Sequence, residues 1–159
     1  MEIIIYTDGA AKGNPGNGGY GIVMISGDHR KELFQGFRLT TNNRMELLAV
    51  IVALESIKKE NSKVLVYSDS KYVINAVEKK WVFRWEKLNF KKKKNSDLWI
   101  RFLNIYKKQK VSFFWVKGHS NNIENERCDA LAVRAANSEK MKVDEWYENS
   151  IINKNNYLF

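Results

Sequence analysis

The chain sets three strand-like runs ahead of its first helix and then alternates helix and strand, an order that few architectures satisfy. Glu2 to Thr7 is short, apolar and β-branched and stops at Asp8-Gly9, the pattern of a strand running into a turn signal. Ile22 to Ile25 and Glu32 to Leu39 read as two further strands, with Gly27-Asp28 between them as a hairpin turn. Asn43 to Lys59 carries Met45, Leu48, Ile51, Val52 and Leu54 at helical spacing and ends on Lys58 and Lys59, which suit the negative end of a helix dipole. Lys63 to Tyr67 is a fourth strand, followed by Ser68-Asp69-Ser70 and a short helix to about Val77. Asp97 to Lys108, with Leu98, Phe102 and Ile105 on one face, is another helix. Val111 to Val116 is a fifth strand, Gly118 to Asn122 a loop, and Asn125 to Ala136 a last helix. The order predicts an α/β domain: a five-stranded mixed sheet flanked by helices on both faces. Past about Asn137 the composition turns polar, and residues 138–159 read as a C-terminal tail, with Trp146, Tyr147, Leu158 and Phe159 as anchors for parts of it.

Charge points to the partner. The chain carries 27 Lys plus Arg against 18 Asp plus Glu, a net +9, and such an excess favours a polyanion, either nucleic acid or an acidic membrane surface. The excess is local: Lys79 to Lys94 holds eight cations and a single acid, Glu86. The one cysteine, Cys128, excludes an intramolecular disulfide framework and suits a reducing, cytoplasmic setting. The opening MEIIIYTDG lacks the pattern of a secretory signal, and no apolar run reaches the length of a membrane span.

Two patterns compete for a site. Gly16-x-Gly18-x-x-Gly21 matches the dinucleotide fingerprint in letters, but that motif must open a helix, and Gly21 runs into the strand pattern Ile-Val-Met-Ile. On pattern alone the segment is a flexible turn into a hairpin. The acids say more. Asp8 ends the first strand and Asp69 the fourth; if those strands are parallel neighbours, both carboxylates stand at one edge of the sheet, where open α/β sheets bind ligands. Glu46 lies in the first turn of the long helix, and Asp129 lies near the start of the last helix, after His119 on its loop. Gathered together, such carboxylates stay ionised only around a cation, and oxygen ligands without a Cys or His cluster favour Mg²⁺ or Mn²⁺ over zinc. Each residue also has a plainer role. Asp8-Gly9 fits an ordinary turn, Asp69 a helix cap, Asn43 with Glu46 a capping box, Asp129 a surface acid and His119 a loop histidine.

The segments TDGAAKGNPGNGGYGIV, TTNNRMELLAVIVAL, YSDSKYV, DLW and WVKGHSNNIENERCDALA, in that order and approximate spacing, closely resemble the bacterial type 1 ribonuclease H family over residues 1–137. The resemblance implies a ribonuclease H-like fold and an endonuclease that hydrolyses the RNA strand of RNA–DNA hybrids by a two-metal-ion mechanism, leaving a 5′-phosphate and a 3′-hydroxyl. It implies two Mg²⁺ ions, with Mn²⁺ as a substitute, and a monomer. Asp8, Glu46, Asp69 and Asp129 match the family's metal-site carboxylates, and His119 matches a loop histidine that assists proton transfer or product release. Asn14, Asn42 and Asn43 match positions that touch the hybrid in its minor groove, where small amides both donate to and accept from 2′-hydroxyls. Thr41 and Asn95 match residues that hold a phosphate of the DNA strand. The basic stretch at about 79–95 matches the family's handle, with Trp81 expected on the DNA and Trp85 compatible with either DNA contact or packing on the core. Four departures bear on affinity rather than on the acids: Phe90 where tryptophan is common, a shortened handle ending in Lys91 to Lys94, Leu39 at a position that is often basic, and Lys71 in place of a common glutamine.

Overall fold

Strand β1 (Glu2–Lys12) runs through the centre of the sheet and decides its two faces by simple alternation. Ile5 and Thr7 are fully buried on one face, and Tyr6 and Asp8 project from the other. β2 (Gly16–Ser26) and β3 (His29–Thr40) add antiparallel neighbours, joined by the tight turn at Gly27, whose φ of +58° favours glycine. Helix α1 (Asn42–Glu55) then crosses to β4 (Lys63–Ser68), which pairs parallel with β1. Helices α2 (Lys71–Glu78), α3 (Trp81–Lys87) and α4 (Ser96–Tyr106) lead to β5 (Lys110–Trp115), parallel to β4. Helix α5 (Ile123–Ala136) covers the second face; β6 (Met141–Lys142) and α6 (Glu145–Asn156) complete the chain. This computed structural model describes residues 2–156.

The sheet has six strands in the order β5-β4-β1-β2-β3-β6, not the five expected. The extra strand is two residues long and pairs parallel with Gly36 and Phe37, too short to leave a periodic signal in the sequence. It belongs to the segment read as a polar tail, and α6 follows it directly. Leu158 and Phe159 lie outside the described residues.

Burial explains the helices. In α1 ten residues are buried, from Arg44 to Leu54, because the helix lies under β1 and β2 on one side and α4 on the other. A helix apolar around its whole circumference is the mark of such a central position. Each fully buried Leu, Ile or Met along it contributes roughly 1.5–3 kcal/mol through removal from water. The Gly-rich segment is not a flexible turn: from Gly16 it is the first half of β2. A Cβ on Gly21 would stand 2.2 Å from the Cys128 carbonyl oxygen, so the glycine lets α5 rest its backbone on the sheet.

Candidate active site

The place where β1 and β4 stop pairing carries the site. Thr7 pairs with Ser68 in parallel register, so the next residue on each strand, Asp8 and Asp69, emerges side by side at one edge. Gly9 brings in the third acid. β1 continues past it to Lys12, so Asp8-Gly9 is not a turn; a Cβ on Gly9 would lie 2.4 Å from the Glu46 nitrogen. The first turn of α1 therefore rests against the strand, and Asp8, Glu46 and Asp69 each offer an oxygen within 4.8 Å of the other two.

Neither capping alternative is realised. Thr41 caps α1 by accepting from the Arg44 N–H at 3.2 Å, so Asn43 and Glu46 form no box. Ser70 caps α2 by accepting from the Val73 N–H, which leaves the Asp69 carboxylate uncommitted. The backbone of Asp69 is steadied by the Trp115 indole, which donates to its carbonyl at 3.3 Å, and the Lys71 amine sits 5.1 Å above the Trp115 ring.

The electrostatics are those of an uncompensated acidic cluster. Burial and the Asp69 charge push the Asp8 carboxyl up to about 8. Burial, then repulsion from Asp8 and Asp69, hold Glu46 well above the usual carboxylate range. Burial also raises Asp69, partly offset by the neighbouring Asp8 carboxyl and Asn125 amide. Asp129, half-buried on α5, lies outside the group of three, but its charge raises both Asp8 and Asp69. The sign of the consequence follows. These acids hold protons in the folded state that the unfolded chain releases near pH 4, so without a cation the site costs stability as pH rises from about 4 to about 8. Adding Mg²⁺ is expected to raise the Tm by more at pH 8 than at pH 5, and Glu46→Gln to shrink that difference. Equal metal-induced shifts at both pH values, measured by calorimetry, would contradict this origin.

A divalent cation fits the site. Among the described residues, Oδ and Oε oxygens are the ligands gathered, and the Glu46 Oε2 atom is buried without a hydrogen-bond partner, an expensive state unless something cationic meets it. Asn125, only 2% exposed, has an amide nitrogen in the same unsatisfied condition beside Asp69. Nothing in the sequence distinguished this asparagine from its neighbours in the helix. His119 is exposed, with a φ of +55°, on the loop whose Gly118 approaches Asp69: a Cβ there would sit 2.8 Å from Oδ2.

The other expected contacts fall around the start of α1. The Asn14 side chain accepts from the Asn42 N–H at 3.1 Å, tying the β1–β2 connection to the helix, and Asn42 and Asn43 are exposed. The Asn95 amide donates to the Tyr72 hydroxyl at 2.9 Å and accepts from Arg44 at 3.3 Å. Trp85, half-buried, packs edge-on against Trp99 at 5.7 Å, with the Lys93 amine over its ring. Trp81 is half-buried at the start of α3, outside the aromatic core, with the Lys79 amine 5.2 Å from its ring. Arg44 went unnoticed in the sequence. Only 2% exposed, it makes two hydrogen bonds to Asp97 and two to Asp144 at 2.7–2.9 Å, beneath the rings of Trp146 and Tyr147.

A family model described as RNase H matches residues 1–137. The ribonuclease H of Syntrophus aciditrophicus (strain SB) is 52% identical over 151 residues, spanning 92% of this chain and 87% of that protein. The chain belongs to the ribonuclease H family. Among solved structures it resembles LC9-RNase H1, a type 1 RNase H with the type 2 active-site motif, with a TM-score of 0.77 at 30% identity, covering 86% of this chain and 72% of that one. It also resembles LC11-RNase H1 in complex with an RNA/DNA hybrid, with a TM-score of 0.65 at 26% identity over 85% of this chain and 96% of that one. As a ribonuclease H, the chain is an endonuclease acting on the RNA strand of RNA–DNA hybrids, with an acidic group able to coordinate a divalent metal. No helix among the described residues is long and apolar enough to cross a membrane.

Proposed function

We propose that this ribonuclease H cleaves hybrid RNA with two divalent cations, Mg²⁺ or Mn²⁺ as a substitute, held by Asp8, Glu46, Asp69 and Asp129. The reading rests on one observation: three carboxylates from β1, α1 and the end of β4 converge within 4.8 Å with a buried, unpartnered oxygen between them. When bound, such ions activate a water and stabilise the leaving oxygen of a phosphodiester. The protein's own groups do the rest. The water attacks phosphorus, the bond to the 3′ oxygen breaks, and the products carry a 5′-phosphate and a 3′-hydroxyl. His119, exposed on its loop, moves a proton at the leaving side or escorts product out. Asn14, Asn42 and Asn43 read the 2′-hydroxyls of the minor groove, Thr41 and Asn95 hold a phosphate of the DNA strand, and Trp81 meets the DNA from the basic handle. Trp85 supports the handle from within. We read the chain as a cytoplasmic monomer, in keeping with a single cysteine that is buried.

A substrate panel tests this reading. A labelled RNA–DNA hybrid, duplex RNA and duplex DNA are incubated with and without Mg²⁺. Cleavage is expected of the hybrid's RNA strand alone, only with metal, with ends that accept extension by a polymerase. Hybrid binding without any cleavage would reduce the chain to a binding module, and cleavage of duplex DNA would assign another nuclease activity to the fold.

A further inference from the structure

Helix α6 lies beyond the residues that the family model matches, yet it forms one wall of a groove of about 550 Å³ beside the start of α1. The facing wall includes Thr41, Asn43 and Asn95; α6 contributes Trp146, Tyr147 and Lys154, and Lys94 closes the groove from the handle. We propose that α6 is an accessory arm of the nucleic-acid site, in which Lys154, together with Lys94, binds a backbone phosphate of the hybrid. The proposal rests on the ribonuclease H reading and extends the substrate site to a segment outside the family domain.

Charge carries the argument. No carboxylate lines the groove, and neither Lys94 nor Lys154 has an ion-pair partner among the described residues. Three acids near the groove are engaged, while Glu145 at the start of α6 makes no ion pair among the described residues and does not line it. Asp97 and Asp144 are held by the buried Arg44, and Glu148 of α6 takes Arg38 at 2.8 Å. Arg38 is thereby engaged, and Lys94 and Lys154 stand without ion-pair partners among the described residues. The side-chain donors of Trp146 and Tyr147 likewise make no hydrogen bond among the described residues, which leaves them for a polar guest. Position agrees with charge. Thr41 stands five residues before Glu46, about 7 Å along the helix axis at 1.5 Å per residue. That is about two nucleotide steps along a duplex axis at 3.4 Å per step. A duplex lying over the carboxylates with its axis along α1 would bring a phosphate to this groove. The arm is fixed, since Asp144 at its root shares Arg44 with α4.

The test uses the full chain carrying Lys154→Ala or Lys154→Glu, with Lys58→Glu as a control that changes the same charge at the far end of α1. KM and kcat for hybrid cleavage are measured at two salt concentrations, and hybrid binding is followed across a salt series in an Asp8→Asn background. Loss of one phosphate contact is expected to lower the log–log salt slope by about 0.7–0.9. Lys154→Ala should raise KM roughly three- to tenfold at low salt, uniformly across sequences, with kcat unchanged. Lys154→Glu should do more than Lys154→Ala, and Lys58→Glu should leave the slope alone. A slope unchanged in both Lys154 variants, or a shift no larger than that of Lys58→Glu, overturns the proposal. Failure of the underlying reading looks different, because the unmodified chain would then not cleave the hybrid at all.

Discussion

Asp8→Asn is expected to slow hybrid cleavage by about a thousandfold or more while hybrid binding survives, since it removes one charged ligand of a metal centre and little else. The substitution is nearly isosteric. The Gly9 N–H that now donates to Asp8 Oδ1 at 2.9 Å can donate equally to an amide oxygen, so the strand end keeps its shape. Losing a like charge should also make the metal-free protein more stable at pH 8, because burial and Asp69 hold the Asp8 carboxyl near 8. Activity and stability thus move in opposite directions, which an ordinary folding defect cannot imitate. Asp69→Asn should behave alike, its backbone held by Trp115 whatever the side chain. Single-turnover cleavage in saturating Mg²⁺, read beside hybrid binding and the Tm, checks all three claims. Near-normal cleavage by either variant would remove the metal-site assignment.

The second large effect falls on stability. Arg44→Met is expected to cost about 3–5 kcal/mol, the usual penalty for stripping one partner from a buried ion pair. The guanidinium is 2% exposed and answers two carboxylates at once, with Thr40 donating a further bond to Asp144 at 2.8 Å. Without it Asp97 and Asp144 face each other across an apolar side chain. Adding Asp144→Leu to Arg44→Met should recover part of the loss, because an apolar pair of similar volume tolerates the site better than a lone charge. Denaturant midpoints of the two single variants and the double variant measure the coupling. A loss under about 1 kcal/mol for Arg44→Met would mean that water, not Arg44, satisfies these acids.

What could be read beforehand followed from what each residue's signal depended on. Asp8 and Asp69 were legible because the strand pattern places them just past the stretch where β1 and β4 pair, although β1 itself runs on to Lys12. Glu46 was legible only as one of two roles; that Thr41 rather than Asn43 caps α1, which no local pattern decides, removes the box. Gly16 to Gly21 read as a turn because glycine disfavours strands locally, and packing against α5 outweighs that preference. Arg44, Asp97 and Asp144 escaped because charged residues in a helix or a polar segment ordinarily face water. They are joined across 100 residues of sequence between Arg44 and Asp144, and no local period encodes such a pairing. The same holds for α6, whose polar composition conceals that its inner edge covers a cation.

The glycine opposite Asp8 sets a distance. Asp8 faces Gly21 across the β1–β2 pairing, and Gly21 meets the carbonyl of Cys128, the residue before Asp129. From the first strand to the last helix, the path between two of the acids thus crosses main chain only, with no rotamer along it to relax. It behaves as a stiff spacer. The helix backbone already rests on the strand there, and no smaller residue than glycine exists. Variation at this position can act in one direction only, prising α5 off the sheet and carrying the backbone of Asp129 with it.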